Sequence, residues 1–213
     1  VRDGAVVSNI RGYRYGRALG IHFQPCGGEG VAGLSFAESL AFNNGSGHLL
    51  GDDQPLLPFY REHRDQFYRD VEPGAEVAVL RDDRSLTLRW HETFAAMEMA
   101  QQQLTCAGVP WMPIWGQQLT SGQAGRYRAL VVPGCACLSD EEIDAITAFA
   151  TEGGVVVIGE GGGVYNEHHQ LGDRWRFAHL FESGRKGDFR IRYADRNLRP
   201  LFARDAKRMS SRV

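Results

Sequence analysis

The run Val155-Val156-Val157-Ile158, set between Gly153-Gly154 and Gly159, constrains this chain more than any other feature. Four β-branched residues in a row, with no polar alternation, fit a strand buried on both faces, and burial on both faces marks a parallel sheet. Residues 128–132 repeat the pattern and end at Pro133-Gly134, and apolar runs at 76–80 and 109–114 come before them. Helical segments fill two of the three intervals between these four strands. Trp90, Phe94, Met97, Gln101 and Leu104 fall on one stripe with Ala96 and Ala100 beside it, and Gly108 stands where a C-terminal cap belongs. Leu138-Ser139-Asp140-Glu141-Glu142-Ile143 reads as a capping box, with Ser139 and Glu142 exchanging bonds and Leu138 and Ile143 as the staple. Residues 81–84 are expected to be a charged turn and 117–125 a polar, glycine-rich connector.

Strand and helix alternating through short connections require right-handed crossovers between parallel strands. Residues 76–182 are therefore expected to form an α/β domain, an open parallel sheet with helices on both faces. Ligands in such sheets bind beyond the carboxyl ends of the strands, which places residues 81–84, 134–137 and 159–165 along one functional rim. Arg190 to Tyr193 is a candidate further strand, and the rest of 184–213 carries no readable signal.

Upstream the texture changes at the turn Glu72-Pro73-Gly74. Residues 5–9 and 20–24 read as short strands, 13–19 as a brief helix, and 36–42 as a second helix. Residues 58–68 read as a third, with Phe59, His63, Phe67 and Tyr60, Arg64, Tyr68 at helical spacing. Two strand-helix units cannot close a barrel, so 1–72 is expected to be the end of a larger domain and 73–213 a domain of its own. The chain opens at Val1 with no methionine, and the expectation is a piece of a longer polypeptide.

Composition removes several functions. With 24 Lys and Arg against 26 Asp and Glu, net charge is -2, which leaves no electrostatic case for a nucleic-acid partner. No apolar stretch approaches the roughly 20 residues of a membrane span. A soluble protein is expected, with the cytoplasm as its compartment. Cys26, Cys106, Cys135 and Cys137 are too few for a disulfide framework in 213 residues and read as buried free thiols.

The segments Tyr127-Arg128-Ala129-Leu130-Val131-Val132-Pro133-Gly134, Leu138-Ser139-Asp140-Glu141-Glu142 and Thr151-Glu152-Gly153-Gly154-Val155-Val156-Val157-Ile158-Gly159-Glu160 together resemble the β-galactosidase trimerisation domain, the middle domain of glycoside hydrolase family 42. Glu76-Val77-Ala78-Val79-Leu80 is similar to its opening strand, and residues 37–70 look like the tail of a catalytic (β/α)₈ barrel leading into it. The resemblance implies a flavodoxin-like fold of the class I glutamine amidotransferase superfamily, membership of a homo-oligomer, and a carbohydrate ligand for the parent protein. In active members of that superfamily a Cys or Ser sits on the turn after the strand equivalent to 155–158. Gly159 and Glu160 stand there instead, so the fragment is expected to be non-catalytic by itself.

The candidate cleft residues are Cys135, Cys137, Gly159, Glu160 and Tyr165, all on the rim. Cys135 or Cys137 as nucleophile of a thiol-dependent hydrolase is the competing expectation. No cofactor is implied, because Gly159-Glu160-Gly161-Gly162-Gly163 has Val164 where a dinucleotide loop needs glycine. No metal is implied either: adjacent His168 and His169, after Glu167, cannot easily share one ion. Glu29 and Glu38 are the carboxylates of the barrel-like tail with any claim on sugar hydrolysis. Trp111, Trp115, Trp175 and Tyr165 could stack on sugar rings, although aromatics at strand ends more commonly belong to the core.

Overall fold

The computed structural model describes residues 10–21, 37–38, 41–42, 56–67, 73–182 and 192–194. The chain divides into two compact units, Val1–Gly74 and Ala75–Val213. Among the described residues, no helix is long and apolar enough to cross a membrane.

In the first unit, helix α1 (Ile10–Leu19) begins three residues earlier than the sequence pattern predicts. It buries Tyr13 completely. The Tyr13 ring stacks on Phe42 at 6.0 Å, and the Arg14 guanidinium lies 5.5 Å from the same ring. Helix α2 (Leu56–Phe67) matches the expected helical repeat, with Phe59 and His63 one turn apart at 4.5 Å between ring centroids. Of the helix expected over 36–42, residues 37, 38 and 41 are helical. Glu38 is on that piece, and Glu29 lies outside the described residues. The strand expected at 5–9 lies outside them as well. Of the one expected at 20–24, Gly20 is in a turn, Ile21 has no regular structure, and the rest lies outside.

The second unit is the doubly wound sheet. Strands β1 (Val77–Arg81), β2 (Trp111–Trp115), β3 (Ala129–Val132), β4 (Val155–Gly159) and β5 (Arg192–Ala194) stand in the order β2-β1-β3-β4-β5. Every pair is parallel. Val131 opposes Val157 on one face, and Leu130 opposes Val156 on the other. Leu130, Val132, Val156 and Ile158 are wholly buried. Burial of each side chain of this size contributes about 1.5–3 kcal/mol, which is why so short a strand can anchor a domain. Residues 192–194 supply a fifth strand that overlaps the stretch picked out from Arg190 to Tyr193.

Two local expectations change. The stretch 81–84 is a helix start rather than a turn: Asp82 accepts from the N–H groups of Arg84 and Ser85 and caps helix α3 (Asp83–Leu88). Aspartate at an N-cap satisfies donors that a helix leaves open, and this carboxylate outweighs the run of charges around it. The connector at 117–125 contains helix α5 (Gly116–Thr120) and a 3₁₀ turn (Gln123–Arg126). Leu119, buried to 1% exposure, holds that piece down, and the N–H of Trp115 is met by Gln118 Oε1 at 3.1 Å.

The long helix α4 (Trp90–Cys106) covers β1 and β2. Its inward residues are Thr93, Met97, Ala100, Gln101 and Leu104. Trp90, placed on that stripe by its spacing, is 52% exposed because the chain breaks at Arg89 between α3 and α4. Helix α6 (Asp140–Thr151) starts with the capping box read from the sequence: Ser139 Oγ accepts from the Glu142 N–H and Glu142 Oε2 accepts from the Ser139 N–H. Replacing Ser139 by alanine is expected to cost about 1 kcal/mol in a urea titration, with an unchanged slope. A loss under 0.3 kcal/mol would show that Glu142 alone holds the helix end.

Candidate functional site

The carboxyl edge of the sheet carries a cleft of about 550 Å³ between the first half of α4 and the ends of β3 and β4. Its lining includes apolar Ala96, Val131 and Val157 and charged Arg89, Glu92 and Glu160. The size is that of a small-ligand pocket, and the lining is mostly apolar with a few converging charges. Gly159, Glu160 and Tyr165, three of the five candidates from sequence, line it. Tyr165 is held rather than free: Arg89 Nη1 donates to its hydroxyl at 3.1 Å, the guanidinium lies 5.3 Å from its ring, and His169 packs at 4.5 Å.

Cys135 and Cys137 are on the rim but outside the cleft lining, which instead takes Ala136 between them. Cys135 is 1% exposed and Cys137 is fully buried. The Cys135 Sγ lies 3.6 Å from the Leu80 carbonyl oxygen. Burial pushes the Cys135 thiol well above its usual range, and the charges of Asp82 and Glu142 push it further. Burial raises Cys137 too, against the smaller downward pull of the Ser85 hydrogen bond and of Arg89 and Arg84. Neither environment generates a thiolate near neutral pH, since a reactive cysteine needs positive charge and access.

What the thiols face is a buried polar network that sequence spacing could not reveal. Arg84 bridges Asp82, at 3.3 Å, and Glu142, 58 positions away. Ser85 Oγ donates to Asp82 and accepts from the Cys137 N–H at 2.7 Å. Asp82 and Glu142 are both 4% exposed. Burial raises the Glu142 carboxyl above the usual carboxylate range, the Ser139 N–H and Arg84 oppose that, and Asp82 adds to it. The outer side of the network borders a second pocket of about 470 Å³, lined by Arg81, Trp115 and Gly116 among others. Arg176 was likewise not anticipated; it donates to the Leu138 and Tyr165 carbonyls and pairs with Asp140, tying the loop after β4 to the start of α6.

The aromatic candidates separate. Trp111 is core, 1% exposed, with Nε1 donating to Thr105 Oγ1 at 3.0 Å. Trp175 is half-buried and donates to the Gly162 carbonyl at 2.8 Å, and Trp115 is half-buried at the end of β2. His168 Nε2 lies 3.7 Å from Oε1 of its neighbour Glu167, and among the described residues no three ligand-type side chains gather as a metal site would require.

No family model matches the chain, and no curated protein matches it. Solved structures do. The apo form of a GH42 exo-carrageenase from Bacteroides ovatus matches over 71% of this chain and 19% of its own, with 15% identity and a TM-score of 0.52. A β-galactosidase from the psychrophilic Marinomonas ef1 matches over 52% and 17%, at 19% identity and 0.42. The β-galactosidase of Bifidobacterium adolescentis matches over 46% and 45%, at 20% identity and 0.40. The chain spans less than half the length of each. At such identities the likeness is one of fold: this chain shares an α/β fold with part of a GH42 enzyme.

Proposed function

We propose that the unit from Ala75 onward is a non-catalytic, amidotransferase-like accessory domain of a glycoside hydrolase-like protein. In this reading it mediates association of subunits and helps wall a carbohydrate site. One observation carries it, the bend after β4. A nucleophile elbow sets a Cys or Ser on a strained turn between a strand and the helix that follows at once. Here the bend is Gly159-Glu160-Gly161-Gly162-Gly163, and the chain runs on through turns to Tyr165, with no helix before α7 (Ala178–Glu182). Glu160 is exposed, and its backbone is outside the left-handed region. The glycoside hydrolase context is supported by the fold shared with the carrageenase and by the sequence motifs.

The competing hydrolase reading needs a reactive thiol at position 135 or 137. Native chain treated with iodoacetamide near pH 6 is expected to show no fast-reacting cysteine there, while exposed Cys106 reacts at an ordinary thiol rate. Peptide mapping that finds Cys135 or Cys137 alkylated first would replace the accessory-domain reading with the hydrolase. Light scattering on the intact chain tests the association part, and a single-chain mass at all concentrations would remove it.

A further inference from the structure

The cleft at the carboxyl edge of the sheet is mostly apolar, with Ala96, Met99, Val131, Val157 and Val164 among its walls. Its volume, about 550 Å³, is in the range of pockets that enclose most of a small organic molecule. Sugars fit such walls poorly, because hydroxyls placed against them give up water and gain no partner.

The charged groups lining the cleft are not equivalent. Arg89 is already engaged: Nη1 donates to the Tyr165 hydroxyl at 3.1 Å, and Nη2 donates to Glu92 Oε1 at 3.1 Å. That pair also matches the charge of Glu92. Glu160 is exposed and, among the described residues, makes no hydrogen bond or ion pair. Next to it Gly161 carries no side chain, and a Cβ built there would meet nothing within 4 Å. The cleft thus combines apolar walls, an unmatched carboxylate and open space beside that carboxylate. A carboxylate next to a low-dielectric wall attracts a cation and repels an anion more strongly than one surrounded by water. We propose that this cleft binds a small organic amine, with its ammonium group against Glu160 and its apolar body between α4 and the ends of β3 and β4. The site is independent of the accessory-domain reading, which concerns subunits and sugars.

The test is a titration of the isotope-labelled full chain, followed by NMR, with tryptamine and separately with indolepropionate, which carries a carboxylate on the same ring system. Tryptamine is expected to shift the amide signals of Gly159, Gly161 and Val164, with a dissociation constant of about a millimolar or below for a molecule of this size. Indolepropionate should bind about fivefold more weakly, the effect of one exposed charge contact. Glu160→Gln, a change at an exposed position, should bring the two probes to within about twofold of each other by weakening tryptamine. Ala96→Leu should weaken both probes about fivefold or more, because the added carbons occupy the space of the ligand. If circular dichroism shows that Ala96→Leu misfolds, the Glu160→Gln comparison decides alone. Equal binding of the two probes to the unaltered chain would overturn the proposal. So would cleft amides that stay unshifted at ten times the expected dissociation constant, or a folded Glu160→Gln chain that still prefers tryptamine fivefold.

Discussion

Replacing Arg84 by methionine is expected to destabilise the second unit by about 2–3 kcal/mol near pH 7.5, and by clearly less near pH 4. The arginine is the cation shared by Asp82 and Glu142, two carboxylates with 4% exposure. Removing one partner of a buried ion pair costs about 3–5 kcal/mol, and the lower figure here allows for the 38% exposure of the Arg84 side chain. Glu142 sets the pH dependence. Its folded-state pKa is already raised, by burial first. Between about 4.3, the ordinary glutamate value, and that raised value, the folded chain binds more protons than the unfolded one. Stability therefore falls as pH rises through this window. Arg84 pulls the Glu142 pKa down, so its loss moves the upper limit higher and the deficit grows over a wider range. Urea titrations at the two pH values measure this. A deficit below 1 kcal/mol, or one equal at both, would show that solvent already neutralises the pair.

Gly163→Val should lower the unfolding midpoint by about 10 °C, corresponding to about 2–5 kcal/mol. Two independent costs meet at this position. Gly163 has φ +66°, where an L-residue is strained by about 1–2 kcal/mol. A Cβ there would also sit 2.5 Å from the ring of Phe177, which is fully buried and cannot swing away. Overpacking of that kind adds about 1–3 kcal/mol. Gly161→Ala separates the two, since Gly161 has φ +79° with nothing within 4 Å of the added carbon. It should lose only the backbone part. Equal losses in the two variants would mean that Phe177 yields, and that the loop after β4 is less firmly packed than its N–H bond from Gly163 to the Cys135 carbonyl, at 2.9 Å, indicates.

Much of this arrangement was legible residue by residue. The tetrad at 155–158 and the run at 128–132 announced two-sided burial, and both are central strands paired in parallel. The Ser139–Glu142 capping box was readable because both partners lie within one helical turn. The corner at Arg89 was not, because helical periodicity places Trp90 on the same stripe as Met97 and says nothing about where the stripe's first turn meets solvent. Helix α5 was hidden for a related reason: five residues with two glutamines carry no periodic signal, and only burial of Leu119 holds them in place.

The candidate site divides the same way. Gly159, Glu160 and Tyr165 could be found because topology sends every strand's carboxyl end to one rim, and chain order is enough to fix topology. Which way Cys135 and Cys137 face was settled by the Asp82, Ser85, Arg84 and Glu142 network, whose members come from two separate stretches of chain. The sequence by itself determined the order of the four main strands and the two long helices between them, the Ser139–Glu142 cap, and the empty bend after β4, all of which depend on contacts within a few residues. Only the tertiary structure decided that Cys106, read from the sequence as buried like the other thiols, is exposed, and that Trp90 stands in the open, because burial is set by what distant segments place against a side chain.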